Sequence, residues 1–261
     1  MTAPSPTLTA LKSVRPGPVF LALVVVAAAS GYWLWTTGAQ DSPAAEFSAL
    51  LLVLAGWVIS LCLHEFAHAF TAFRYGDRNT EMRGYLTLNP LKYTHPGLSL
   101  GLPLLIIMIG GIGFPGGAVY LNTAGFTRRQ RTLVSLAGPI TNLVLGAVLL
   151  LCVRSVELSA QNVNLMGALT MLGFLQITAA VLNLIPMPGF DGYGAIEPYL
   201  SPQTRQSAAH LAPWGFVLII VLLLIPPINQ AFFGLIDAIV ELFGVPAALV
   251  DYGWQLVIFW R

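Results

Sequence analysis

An α-helix returns to the same face about every four residues, so His64 and His68 of His64-Glu65-Phe66-Ala67-His68 stand one above the other. Two imidazoles placed in this way can grip one metal ion, and Glu65 projects beside it. In this H-E-x-x-H pattern the histidines hold Zn2+ and the carboxylate handles the proton of a water. A zinc ion so held lowers the pKa of its water to roughly 7, which makes hydroxide available at neutral pH. The plain alternative is a chance match, with two ordinary core histidines. The setting argues against it, because Leu50 to Leu63 is almost wholly apolar and the motif continues that run. A charged residue at the centre of a membrane helix costs roughly 2.5–3.5 kcal/mol. A purely structural helix would not carry three ionisable groups there. Of the 4 His in the chain, two fall in this pattern.

A catalytic zinc usually takes three protein ligands and leaves one position open. The helix motif supplies two, so a third must come from elsewhere. His95, His210, Asp237, Glu241 and Asp251 are candidates, but Asp191 has the best setting. It follows an apolar run that Pro186 and Pro188 force open, and Gly189 and Gly192 let the backbone bend so that the carboxylate can turn inward. Asn183, eight residues earlier, has an amide suited to holding substrate or a developing oxyanion. The alternative is that it merely caps the broken helix. Asn142 reads either as a substrate contact or as an interhelical hydrogen bond.

These residues sit in a chain of 261 residues that is 56% hydrophobic and 9% charged. Soluble domains carry about 25% charged residues. With a mean hydropathy of +0.77, the composition is that of an all-α polytopic membrane protein embedded in a lipid bilayer. A net charge of +1 gives no nucleic-acid signature. Cys62 and Cys152 lie in separate apolar runs and read as small core residues, and Cys62 faces away from the motif.

About six spans are expected. The first is Pro18 to Trp35, extending to Thr37. Ala27-Ala28-Ala29-Ser30 resembles a signal cleavage region, but Tyr32, Trp33 and Trp35 continue it as an interfacial belt, so an uncleaved helix is favoured. The second runs from Ser48 to Phe73 and carries the motif, about two turns from its basic end. The third is Thr132 to Val153, the fourth Leu165 to Ile185, and the fifth Trp214 to Ile225. From Ile228 to Trp260 a sixth span and an interfacial helix are both possible. The Gly38–Glu46 loop lacks Lys and Arg, whereas Arg74, Arg78, Arg83, Lys92, Arg128, Arg129, Arg131 and Arg205 fall in the connections on the other side. By the positive-inside rule the N-terminus is cytoplasmic and the metal lies within the bilayer toward the cytoplasm. Arg154 is a lone exception. Between the second and third spans, Tyr85-Leu86-Thr87-Leu88 alternates like a short strand. Leu98 to Ile112, with Gly101, Pro103, Gly110 and Gly111, suits a re-entrant segment. The stretch from Tyr85 to Tyr120 is therefore expected to receive an extended substrate by strand addition. No repeat, linker or separate soluble domain is read, so 1–261 is one membrane domain with its core at about 48–200.

The motif helix followed downstream by Asn183-Leu184-Ile185-Pro186-Met187-Pro188-Gly189-Phe190-Asp191-Gly192 resembles the site-2 protease family of intramembrane zinc metalloproteases. Leu86-Thr87-Leu88-Asn89-Pro90 and Ala137-Gly138-Pro139-Ile140-Thr141-Asn142 also look like stretches of that family. The resemblance implies a three-helix core made of the second, third and fourth spans, and one zinc on His64, His68 and Asp191. It implies cleavage of peptide bonds within or beside a substrate's transmembrane helix. The substrate class it implies is a single-pass membrane protein, such as an anti-sigma factor or a membrane-bound regulator. Relatives often add a PDZ or CBS domain, and neither is read here. His95-Pro96 stands where relatives often have Asp-Pro. A proton- or ion-coupled transporter is the competing class. It would scatter ionisable residues over several helices, whereas here they concentrate at one motif and one downstream Asp.

Overall fold

A computed structural model describes residues 14–39, 42–93 and 121–258. Helix α1 spans Pro18–Thr37, α2 Pro43–Arg74, α3 Arg128–Arg154 and α4 Val163–Asn183. After these come the short α5 (Asp191–Ile196), then α6 (Pro202–Leu211), α7 (Gly215–Leu223), α8 (Pro226–Leu242) and α9 (Ala247–Val257). Among the described residues, five stretches are long and apolar enough to cross a membrane: α1, α2, α3, α4 and the continuous run Pro202–Leu223 through α6 and α7. The pair α8–α9 makes a sixth if it is one broken span, bent by 115°. No strand occurs among the described residues. The chain is an all-helical, multi-pass membrane protein.

α4 is the central post. Within its apolar window 83% of residues are buried, against 11% for α1, which packs only at the periphery. α2, α3 and α9 all pack on α4. Small residues let these helices approach closely. A Cβ on Gly146 would meet Ile177 Cδ1 at 2.8 Å, and one on Gly173 would meet Leu150 Cδ2 at 2.9 Å. α2 and α3 are antiparallel, so the last turns of α2 lie beside the first turns of α3. The basic residues Arg74, Arg128, Arg129 and Arg131 therefore gather at one end of the bundle. Backbone bonds from Arg15 N to Leu86 O (3.3 Å) and from Gly17 N to Thr87 O (2.8 Å) bring the start of α1 to that same end.

Several boundaries differ from the sequence expectation. α2 begins at Pro43 rather than Ser48, because Ser42 accepts a bond from Ala45 N (3.3 Å) and Pro43 is preset for the first helical position. α3 starts at Arg128 behind a reciprocal cap between Thr127 and Gln130. Tyr85–Thr87 is a 3-10 turn, not a strand. Gly84 enters it with φ +75, and Thr87 Oγ1 closes back on Gly84 O at 2.7 Å. Arg205 lies on α6 instead of in a loop, since Ser201 caps that helix by accepting from Thr204 N at 3.1 Å. The fifth span thus starts well before Trp214. Cys152 is exposed, unlike the buried Cys62. The expected re-entrant segment Leu98–Ile112 and His95 lie outside the described residues.

Candidate metal centre

The last third of α2 places His64, Glu65 and His68 inside the bundle, at 6%, 3% and 5% exposure. Asp191 comes to them from α5. After Asn183 the chain cannot continue as a helix, because Pro186 and Pro188 lack the necessary N–H groups. Short turns replace it, with Met187 N bonding Ile185 O (2.8 Å) and Phe190 N bonding Met187 O (3.0 Å). Gly189 completes the reversal at φ +102, a conformation that other residues resist. Asp191 then opens α5, which is tied to α3 by Thr132 Oγ1 donating to Ala195 O at 2.7 Å.

The three donor atoms form a nearly equilateral triangle. His64 Nε2 and His68 Nε2 are 3.1 Å apart. Asp191 Oδ2 lies 3.2 Å from the first and 3.3 Å from the second. A tetrahedral ion with bonds of ~2.0–2.1 Å requires donor–donor edges of about 3.3 Å. These are the residues that could hold one metal ion. Gly138 on α3 supplies the room, because a Cβ on it would collide with the Nε2 atoms of both histidines. The space left by its missing side chain is the space an ion bonded to both nitrogens needs.

Both imidazoles are oriented from behind. His68 Nδ1 donates to Val134 O at 2.7 Å, and His64 Nδ1 is hydrogen-bonded to Asn142 Oδ1. Each ring therefore carries its proton on Nδ1 and turns the Nε2 lone pair to the triangle, the usual support of a metal-binding histidine. Asn142 Nδ2 in turn donates to Gln176 Oε1 on α4, at 2.7 Å.

A cavity of about 270 Å³ opens on this centre, lined by His64, Glu65, His68, Ser135, Asn183, Asp191 and Tyr193 among others. Asn183 thus stands in the wall beside the triangle, and its Nδ2 gives one bond to Ala179 O at 3.1 Å. Asn142 is not among the lining residues; at 3% exposure it sits behind His64, in the interhelical arrangement. Asp237, Glu241 and His210 lie on α8 and α6, and Asp251 on α9, none of them in the cluster. Gln176 was not singled out from the sequence, although an amide in the middle of an apolar span is itself a signal. Gly138 enters the sequence reading only within the family-like stretch Ala137-Gly138-Pro139-Ile140-Thr141-Asn142, where nothing gives it a place at the metal.

No family model and no solved structure matches the chain. Curated relatives do. A protein of Mycolicibacterium smegmatis named "Putative zinc metalloprotease Rip2" is 54% identical over 249 residues, 95% of this chain and 96% of the relative. The protein of the same name from Mycobacterium tuberculosis H37Rv is 48% identical over the same shares. A Bacillus subtilis protein named for the same activity, YwhC, is 31% identical over 65% of this chain and 78% of its own length. A match at that identity along nearly the whole of both sequences means that the chain belongs to the Rip2 family of zinc metalloproteases.

Proposed function

We propose that the protein is an intramembrane zinc endopeptidase of the site-2 protease type. The observation that carries this reading is the triangle of His64, His68 and Asp191 donors, with edges of 3.1–3.3 Å, set among apolar helices and open to a cavity. His64, His68 and Asp191 would hold the zinc. When bound, the metal acts as a Lewis acid that makes a water nucleophilic near neutral pH. Glu65, in the cavity wall, accepts the proton that this water loses as its oxygen bonds to the peptide carbonyl carbon. Glu65 then returns that proton to the amide nitrogen as the C–N bond breaks. The side chain of Asn183 has a second N–H beyond the one given to Ala179 O, and it is assigned to the oxyanion or to the substrate backbone.

The substrate is assigned as a single-pass membrane protein, such as an anti-sigma factor or a membrane-bound regulator, cut in or beside its transmembrane helix. Arg15 and the basic ends of α2 and α3 give the cell-membrane orientation by the positive-inside rule, with the N-terminus and the nearer side of the metal centre toward the cytoplasm.

The test is to purify the full-length protein in detergent, measure zinc per chain, and incubate it with a single-pass substrate in vesicles. One zinc per chain, chelator-sensitive cleavage, and products whose new ends map to the membrane segment are expected. Cuts confined to soluble parts of the substrate would remove the intramembrane assignment. A zinc-free, chelator-insensitive protein would remove the metalloprotease assignment.

A further inference from the structure

We propose that Gln176 is a positioning residue for the metal centre and acts on His64 through Asn142. The inference rests on the reading of His64 as a zinc ligand. To bind through Nε2, His64 must keep its proton on Nδ1, and that proton needs an acceptor. Oδ1 of Asn142 is that acceptor. A carboxamide has its oxygen at one end only, so Asn142 presents oxygen to His64 only while its nitrogen is turned away. On that side Nδ2 donates to Gln176 Oε1 at 2.7 Å. Three helices are joined in series: α2 through His64, α3 through Asn142 and α4 through Gln176.

Gln176 is 1% exposed, and its own Nε2 has no partner among the described residues. An unpartnered buried donor disfavours the fold. What the side chain contributes is its oxygen, aimed at Asn142. The two histidines differ in this respect. His68 is fixed by a backbone carbonyl, that of Val134, which no substitution removes. His64 is fixed by a side-chain relay that one substitution can break. Without an acceptor at position 176, Asn142 can turn over and present Nδ2 to the imidazole. His64 would then have to accept at Nδ1 and carry its proton on Nε2, the atom that faces the metal.

The test uses the full-length protein in detergent. Zinc affinity is measured by competition with a chromophoric chelator, the visible spectrum with cobalt(II) in place of zinc, and the thermal midpoint in chelator. Gln176→Met keeps the length of the side chain and removes the oxygen; Gln176→Glu keeps an oxygen at both ends. Gln176→Met should bind zinc about tenfold more weakly, at the lower end of the ~10–100-fold loss seen when such outer partners are removed. Its cobalt band should shift while its metal-free midpoint stays put, and Gln176→Glu should bind like the wild type. Wild-type affinity in Gln176→Met overturns the proposal. So does an equal loss in Gln176→Glu, or a zinc loss accompanied by a lower metal-free midpoint. A wild-type chain that binds no zinc overturns the metal site itself, and is told apart by the wild-type measurement alone.

Discussion

Gly138 and His68 approach so closely that a Cβ at position 138 would collide with Nε2 of the imidazole. The same Cβ would collide with Nε2 of His64, so a single methyl group would crowd both nitrogen donors at once. Gly138→Ala is expected to abolish zinc binding. Alanine is better than glycine in a helix by about 1 kcal/mol, which partly offsets the cost of about 1–3 kcal/mol for relieving the collision, so the metal-free fold should survive with a modestly lower midpoint. Zinc analysis and the thermal midpoint of the metal-free variant, read together, check this. Near-stoichiometric zinc in Gly138→Ala would show that the ion sits elsewhere.

That relationship was not legible in the sequence, and the reason is physical. His64 and His68 share a face through local helix geometry, which spacing alone reveals. Gly138 meets them only because α3 runs antiparallel to α2 in one register, and that register is a property of packing. Asn142 and Gln176 are joined in the same way, by the side-by-side placement of α3 and α4. The long apolar runs were legible because burial in lipid demands them. Tyr85–Leu88 misled because its alternation imitates a strand, while Gly84 at φ +75 starts a tight turn that the period of the side chains does not reveal. The start of the fifth span was missed because α6 is polar, and only its Ser201 cap and Pro202 mark it.

Asn183→Ala should lower the cleavage rate by about 10²–10³-fold, the usual effect of losing one oxyanion donor, with zinc content unchanged. Its bond to Ala179 O, at 3.1 Å, also supports the end of α4. Single-turnover cleavage and thermal midpoints separate the two roles. An unchanged specific activity with a lower midpoint would leave Asn183 as a helix-end residue.

Gly253 on α9 faces Gly167 on α4 so closely that a Cβ would strike the Gly167 carbonyl and stand 3.1 Å from Met171 Cβ. Gly253→Ala should therefore cost about 1–3 kcal/mol through overpacking. Gly167 lies 16 residues before Asn183 on the same helix, about 24 Å along its axis, so zinc per folded chain should not change. Thermal unfolding in detergent and zinc analysis check this pair of outcomes. An unchanged midpoint would mean that α9 is not docked on α4 in the membrane.

Asp191 and Glu65 line one cavity, and the proposed mechanism gives them different roles, one as ligand and one as proton carrier. The most direct measurement is zinc content and cleavage of a membrane-anchored substrate, made side by side on the wild type, Glu65→Gln and Asp191→Ala. The expected result is zinc without cleavage in Glu65→Gln, and loss of both in Asp191→Ala. Normal turnover by Glu65→Gln, or wild-type zinc affinity in Asp191→Ala, would contradict the assignment of a zinc peptidase built on these residues.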